Sequence, residues 1–260
     1  MLVVVLTTEK MFDTRGKAVR DTWMDYANNK HPELGVHVVM AYDGKPTKDT
    51  EGVPMIPTFT TSYDDLYLKV IDVFETIREL YGDDYDYFMK ADDDVFVHVD
   101  RLAARFSKVE VYNPAKSQVF GFRGPGDFMC WGGPGYLMSR QALREIYPHM
   151  VQCGKDFILP EDITIAWCFM RHSFNHHKKI WLGCQPLENN DHTGFCHIPP
   201  PQKENWALWD QPDKEFEVEG TWIKTWRFST VLTMHAFKTE LNTKPSMREY
   251  YNHFYNNDNH

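Results

Sequence analysis

Three aspartates in a row, Asp92, Asp93 and Asp94, stand between two strand-like segments, Tyr85–Lys90 and Val95–Val99. Ionised carboxylates side by side repel one another, so a fold that keeps them together must bring positive charge to the turn. A hard divalent ion is the natural candidate, because Mg²⁺ and Mn²⁺ take oxygen ligands and usually share them with a bound phosphate. A solvated acidic turn is the plain alternative for a lone triple aspartate. Here the turn follows an apolar strand at its carboxyl end, where open α/β sheets hold their ligands.

The first half of the chain alternates strands and helices. Leu2–Thr7 is an apolar, β-branched run, Gly16–Tyr26 reads as a helix, and Val36–Tyr42 is a second strand closed by the turn former Asp43-Gly44. Residues Asp64–Tyr81 carry Leu66, Val70, Val73, Phe74, Ile77 and Leu80 on one helical face. Asp100 is placed to cap a helix that runs to Phe106. This order predicts an α/β fold: a mainly parallel, doubly wound sheet, helices on both faces, the site at the strands' carboxyl ends.

In the second half, Gln118–Phe122 and Gly135–Met138 read as short strands, and Ser139 caps a helix to Tyr147 that Pro148 stops. Pro160 opens another helix, with Ile163, Ala166, Trp167 and Met170 as its apolar face. Residues 178–211, rich in Pro, Asn, His and Trp, predict long irregular loops, which in a compact domain are usually functional. Thr230–His235 is the last strand, and the tail 253–260 is expected to fray. With no repeat or low-complexity linker, residues 1–252 read as one domain.

At 260 residues the chain can bury a sizeable core. Its 28 Lys and Arg against 37 Asp and Glu leave a formal charge of −9, which argues against nucleic acid or an anionic membrane as partner. An acidic protein that handles a phosphorylated ligand also needs a cation to mediate. No apolar run approaches the roughly 20 residues of a membrane span, and Leu2–Leu6 is too short for a signal-peptide core. Of five cysteines (Cys130, Cys153, Cys168, Cys184 and Cys196), one is left over if two disulfides form. Cys184, His192, Cys196 and His197 are the nearest approach to a zinc site, weighed against disulfides or buried thiols. There is no N-x-S/T acceptor to support secretion.

Three further groups bear on chemistry. Trp131-Gly132-Gly133-Pro134-Gly135-Tyr136 places three glycines within four positions, either a structural turn or a backbone cradle for a ligand. Glu161-Asp162 follows Pro160 at a helix start, where acidic residues complement the helix dipole. A rigid helix terminus is also where a general base can be held within reach of a hydroxyl. His235, at a strand end, is either structural or the nitrogen donor of an O,N set suited to Mn²⁺.

Taken in order, these groups resemble the inverting β-1,3-glycosyltransferases of family 31, which include the T-synthase galactosyltransferases and the Fringe proteins. Arg15-x-x-Ala18-Val19-Arg20-x-Thr22-Trp23 is similar to the family's R-x-x-x-I-R-x-T-W segment. Tyr63-x-x-Leu66-x-x-Lys69 is similar to Y-x-N-L-x-x-K, with Asp65 in place of Asn. Lys90-Ala91-Asp92-Asp93-Asp94 matches K-x-D-D-D, and Gly132 to Ser139 matches G-G-A-G-Y-x-x-S with Pro134 for Ala. Pro160-Glu161-Asp162 matches P-[ED]-D, and His235 the C-terminal His ligand. The resemblance covers roughly residues 2–238.

The resemblance implies a GT-A fold, with residues 1–130 as the nucleotide-sugar half and 131–252 as the acceptor half. It implies a metal-dependent enzyme that transfers a sugar from a UDP-sugar to a glycan or glycoprotein hydroxyl with inversion, using Mn²⁺ (or Mg²⁺). Asp94 and His235 would bind the metal, with Asp92 nearby through water or the ribose. Asp92, Asp93, Gly132, Gly133 and Glu161 would contact the nucleotide sugar, and Asp162 would be the base. Members are normally anchored facing the Golgi lumen, so a chain starting almost at its first strand is expected to be a trimmed catalytic domain or a homologue without an anchor. The segment itself is expected to make no membrane contact. Ile163-Thr164-Ile165-Ala166-Trp167 leans toward Fringe-like transfer of N-acetylglucosamine, whereas the K-A-D-D-D context and His235-Ala236-Phe237 lean toward the T-synthases, and galactose is favoured. Trp181, Trp206, Trp209, Trp222 and Trp226 are candidates for stacking on an acceptor or for core packing. A non-catalytic chaperone or sugar-binding relative is the second class.

Overall fold

A computed structural model of the chain describes residues 1–60, 62–109, 112–121, 130, 132–172, 195–196, 215–218, 221–224, 233–235 and 246–255. Six strands form the main sheet: β1 (Leu2–Leu6), β2 (His37–Tyr42), β3 (Met55–Pro57), β4 (Tyr87–Asp92), β6 (Val119–Gly121) and β7 (Tyr136–Ser139), in the order β3-β2-β1-β4-β7-β6. The first four are parallel, and β7 and then β6 continue the sheet antiparallel to their neighbours. The chain winds outward from β1 through β2 to β3, then returns to lay β4 against the other side of β1. The order therefore reverses between β1 and β4, and the carboxyl ends of strands at such a reversal are where open α/β sheets hold their ligands.

Alternation along the central strands builds two cores. Val3, Val5, Val38 and Met40 face a cluster with Phe12, Trp23, Leu102 and Tyr250. Leu2, Val4, Leu6 and Val39 face the other side, with Val70, Phe74, Ile77, Leu143, Ile165 and Phe169. Helices thus cover both faces, the doubly wound α/β architecture the sequence implies. A smaller sheet, β5 (Val95–Val97) with β11 (Thr233–His235) and β8 (Phe195–Cys196), lies beyond the Asp-rich turn, and β9 (Glu215–Val218) pairs with β10 (Thr221–Lys224).

Several expectations change. The first helical segment runs over residues 9–30 and alternates α and π turns. Asp100 does not cap its helix; His98 occupies the cap position of Val99–Phe106, and Asp100 lies in the first turn. Ser139 does cap Arg140–Ile146, accepting from the Ala142 amide, but Pro148 only tightens the next turn before a further helix, Met150–Asp156. The Glu161–His172 helix buries Ile165, Cys168 and Phe169, while Trp167, expected inside, is 40% exposed. The Cys153–Cys168 disulfide explains this, because it turns the Cys168 face of that helix toward Met150–Asp156. The Met247–Tyr255 helix carries order into the tail expected to fray from residue 253, and residues 256–260 lie outside the described ones. Trp131, Cys184, His192, His197, Trp181, Trp206, Trp209, Trp226 and nearly all of the 178–211 loops also lie outside them.

Candidate active site

The register of β1 with β4 places Leu6 opposite Asp92, so Thr7 and Asp93 leave the sheet side by side. Thr7 donates its hydroxyl to Asp93 Oδ2 at 2.8 Å. Burial raises the Asp93 carboxyl to about 7, with Asp92 and Asp94 acting in the same direction against Thr7 and Arg15. The positive charge demanded by three adjacent carboxylates is supplied in part by the protein. Arg15, from the first helical segment, places Nη1 3.7 Å from Asp93 Oδ1 and 3.6 Å from Asp94 Oδ2. Lys90, two positions before Asp92 on the same side of β4, pairs with Asp92 Oδ1 at 2.9 Å. Trp23 ties the same helical segment to the turn, donating Nε1–H to the Val95 carbonyl at 3.1 Å.

His235 reaches the turn through strand register. β11 runs antiparallel to β5 with His235 opposite Val95, and His235 Nε2 lies 3.4 Å from Asp94 Oδ1. Two donors bound at about 2.1 Å to adjacent positions of one ion stand about 3 Å apart, a spacing close to that of this pair. A carboxylate oxygen with an imidazole nitrogen suits Mn²⁺. Asp92 does not join them, because its carboxylate is turned to Lys90. Among the described residues no group of three or more His, Cys, Asp or Glu side chains gathers as a metal site. Of the expected set of Asp94, His235 and Asp92, the structure brings Asp94 and His235 together, while Asp92 pairs with Lys90. That fits an ion whose other positions go to phosphate oxygens and water.

Glu161 and Asp162 leave the first turn of their helix in different directions. Glu161 is buried, accepting from the Tyr136 hydroxyl at 2.5 Å and lying 3.4 Å from Lys90 Nζ. Burial raises its carboxyl pKa, against the opposing pull of Lys90 and Tyr136. It is thus engaged by Tyr136 and Lys90 inside the protein. Asp162 is half-buried, with Oδ2 accepting the Gly132 N–H at 3.0 Å and Oδ1 the Ile163 N–H at 2.9 Å.

The glycine turn closes around these carboxylates. Gly135 adopts φ +84°, and a Cβ there would meet the Lys90 carbonyl at 2.6 Å. A Cβ on Gly132 would meet Glu161 Oε2, also at 2.6 Å. Gly132 donates its N–H to Asp162, and its carbonyl accepts from the Gly135 N–H at 2.9 Å and from Lys90 at 3.1 Å. Its N–H and carbonyl are both engaged within the protein. Gly133 is half-buried at the same turn. Lys90 went unassigned in the sequence, yet a lysine inside the apolar run of β4 must find partners to be buried, and that signal was available. The same holds for Lys69 on the buried face of the Leu66–Tyr81 helix, which pairs with Asp43 at 3.2 Å and bonds the Thr7 carbonyl at 3.1 Å.

No family model matches the chain. It is similar to human chondroitin sulfate synthase 3, 26% identical over 219 residues, which is 76% of this chain and 24% of that protein. Mouse chondroitin sulfate synthase 2 is 26% identical over 212 residues, 77% of this chain and 24% of the relative. Human chondroitin sulfate glucuronyltransferase is 34% identical over 90 residues, 32% of this chain and 12% of that protein. The chain spans about a quarter of the length of the first two relatives. Among solved structures, mouse xyloside xylosyltransferase 1 overlaps with a TM-score of 0.39 at 8% identity, over 66% of this chain and 82% of that one.

Proposed function

We propose that this chain is the catalytic unit of a glycosyltransferase with a GT-A-type fold, moving a sugar from a UDP-sugar to a hydroxyl of a glycan or glycoprotein. The observation that carries it is the arrangement at the carboxyl ends of β1 and β4: the Asp94–His235 pair beside the Asp-rich turn, with Asp162 linked to that turn through Gly132 and Lys90. Similarity to chondroitin sulfate synthases supports the same class.

When bound, a divalent ion held by Asp94 and His235 supplies Lewis-acid stabilisation of the diphosphate as its charge develops. Arg15 adds positive charge beside the same carboxylates. Asp162 accepts the proton of the acceptor hydroxyl while that oxygen attacks the anomeric carbon opposite the nucleotide, so the configuration inverts. Two backbone N–H bonds fix its carboxylate plane and still leave lone pairs for the proton. Residues 1–130 hold the donor in this scheme and 131–252 the acceptor. A β-1,3 linkage with galactose as donor is the version the sequence motifs favour. Fringe-like transfer of N-acetylglucosamine stands beside it, and similarity to a glucuronyltransferase adds glucuronate. The Cys153–Cys168 disulfide and the disulfide at Cys130 suit an oxidising lumen such as the Golgi. No described helix is long and apolar enough to cross a membrane.

The test is a panel of UDP-galactose, UDP-N-acetylglucosamine and UDP-glucuronate with Mn²⁺, read as UDP release with and without glycan acceptors. Release that depends on one donor, and is abolished by chelation, is expected. A chain that binds sugar but releases no UDP from any donor is a binding module, and the proposal fails.

A further inference from the structure

We infer that Lys90 is a positioning residue that locks the base-bearing helix, the glycine turn and the Asp-rich strand into one arrangement; this rests on Asp162 being the base. Lys90 is 2% exposed, so its ammonium has no access to bulk water or to reacting atoms. It has three protons to donate, and three acceptors on three separate chain segments receive them. These are Asp92 Oδ1 at 2.9 Å on β4, the Gly132 carbonyl at 3.1 Å in the glycine turn, and Glu161 Oε2 at 3.4 Å at the helix start. The Tyr136 ring, 6.0 Å away, forms a wall of the pocket, and its hydroxyl holds the other oxygen of Glu161.

Burying an ammonium among carboxylates adds little net stability over an apolar side chain of the same size. Geometry is what the arrangement provides. Gly132 is clasped from both ends, its carbonyl by Lys90 and its N–H by Asp162 Oδ2. The carbonyl keeps its bond from the Gly135 N–H, and it and the Gly132 N–H lie in adjacent peptide planes that share the Gly132 Cα. Losing the Lys90 bond loosens that hinge, and with it the N–H that fixes the plane of the base. Glu161 precedes Asp162 on the helix, so losing its ammonium partner loosens the same turn from a second side. An arginine keeps the charge, but its flat fork cannot direct single protons to three acceptors spread around a tetrahedral nitrogen.

Lys90→Met keeps the length of the side chain and removes the three protons. Two readouts are taken with the parent alongside: amide hydrogen exchange at Gly132, and kcat set against UDP–Mn²⁺ affinity. Exchange at Gly132 is expected to speed up by roughly tenfold or more, and kcat to fall by roughly tenfold or more with a smaller change in UDP affinity. Lys90→Arg should fail to restore kcat. Parent-level exchange at Gly132 in Lys90→Met overturns the inference. So does an equal fall in kcat and UDP affinity, which would mean that Lys90 acts through Asp92 on the donor. If the parent transfers no sugar, the Asp162 reading falls, and the exchange at Gly132 alone decides whether Lys90 holds the turn. Should Lys90→Met not fold, the Lys90→Met/Glu161→Gln double variant, with both charges of the pair removed, is read in the same two ways.

Discussion

Asp94 and His235 are neighbours through strand register: β11 lies antiparallel to β5, His235 falls opposite Val95, and its Nε2 comes within 3.4 Å of Asp94 Oδ1. Asp94→Ala and His235→Ala should each abolish Mn²⁺-dependent binding of UDP. The fold should survive both, because neither side chain packs in either hydrophobic cluster. Calorimetric titration of UDP with and without Mn²⁺ measures this. Undiminished binding in both variants sinks the two-donor assignment.

Asp162→Asn should lower kcat by about 100-fold or more while UDP affinity stays near the parent value, since the proton moves only in the transition state. An amide can accept at only one of the two positions where Asp162 now accepts the Gly132 and Ile163 amides, so a small loss of stability accompanies the loss of rate. Glu161→Gln is the contrast. It removes a buried partner of Lys90 and should appear first as a lower melting temperature. If Glu161→Gln is inactive and Asp162→Asn turns over normally, the base has been placed on the wrong carboxylate.

What could be read from the chain alone divides by range. Strands β1, β2 and β4 announce themselves as short β-branched or apolar runs, and Ser139 and Pro160 mark helix starts by local chemistry. The acidic turn and the helix start at Glu161-Asp162 are legible for the same reason. The approach of Arg15 to Asp93 and Asp94, the pairing of His235 with Asp94, and the three partners of Lys90 depend on which strands lie side by side, which no local pattern encodes. The misplaced face of the Glu161–His172 helix has a similar origin. Ile163 and Trp167 have the right spacing for a core stripe, but the disulfide to Cys153 fixes a different side inward.

Lys69 and Asp43 form an ion pair with side chains 3% and 2% exposed, joining the Leu66–Tyr81 helix to the turn after β2. Asp43 also accepts the Glu9 amide at the start of the first helical segment. Lys69→Met leaves that carboxylate buried without its cation, which should cost about 3–5 kcal/mol. Lys69→Met with Asp43→Asn should recover a large part of this. Urea unfolding of the two single variants and the double variant gives the coupling. Additive losses would show that the pair does not act as a unit.

His98 predicts the pH response of the C-terminal helix. Its side chain is 1% exposed, with Nε2 3.2 Å from the Tyr250 hydroxyl and Nδ1 3.3 Å from the Tyr255 hydroxyl. Tyr255 donates its own proton to Asp100 Oδ1 at 2.6 Å. Its oxygen therefore accepts from Nδ1–H, which leaves Nε2 to accept from Tyr250. These contacts suit the neutral Nδ1–H tautomer. Burial, reinforced by Arg101, holds His98 well below its ordinary value. Above the unfolded value of about 6.5 the imidazole is neutral in both states and costs nothing. Below it the unfolded chain takes up a proton that the folded chain refuses, so stability falls as the pH falls, by at most about 1.4 kcal/mol per pH unit. Asp93, raised to about 7, acts oppositely, losing stability as the pH rises toward that value. A comparison with His98→Gln cancels its contribution. Between pH 7.5 and 5.5, urea unfolding should show the parent losing about 1 kcal/mol more than His98→Gln. Amide exchange should locate the first loosening in Met247–Tyr255, which supplies both tyrosines. Equal losses in parent and variant would mean that His98 accepts its second proton within the folded protein.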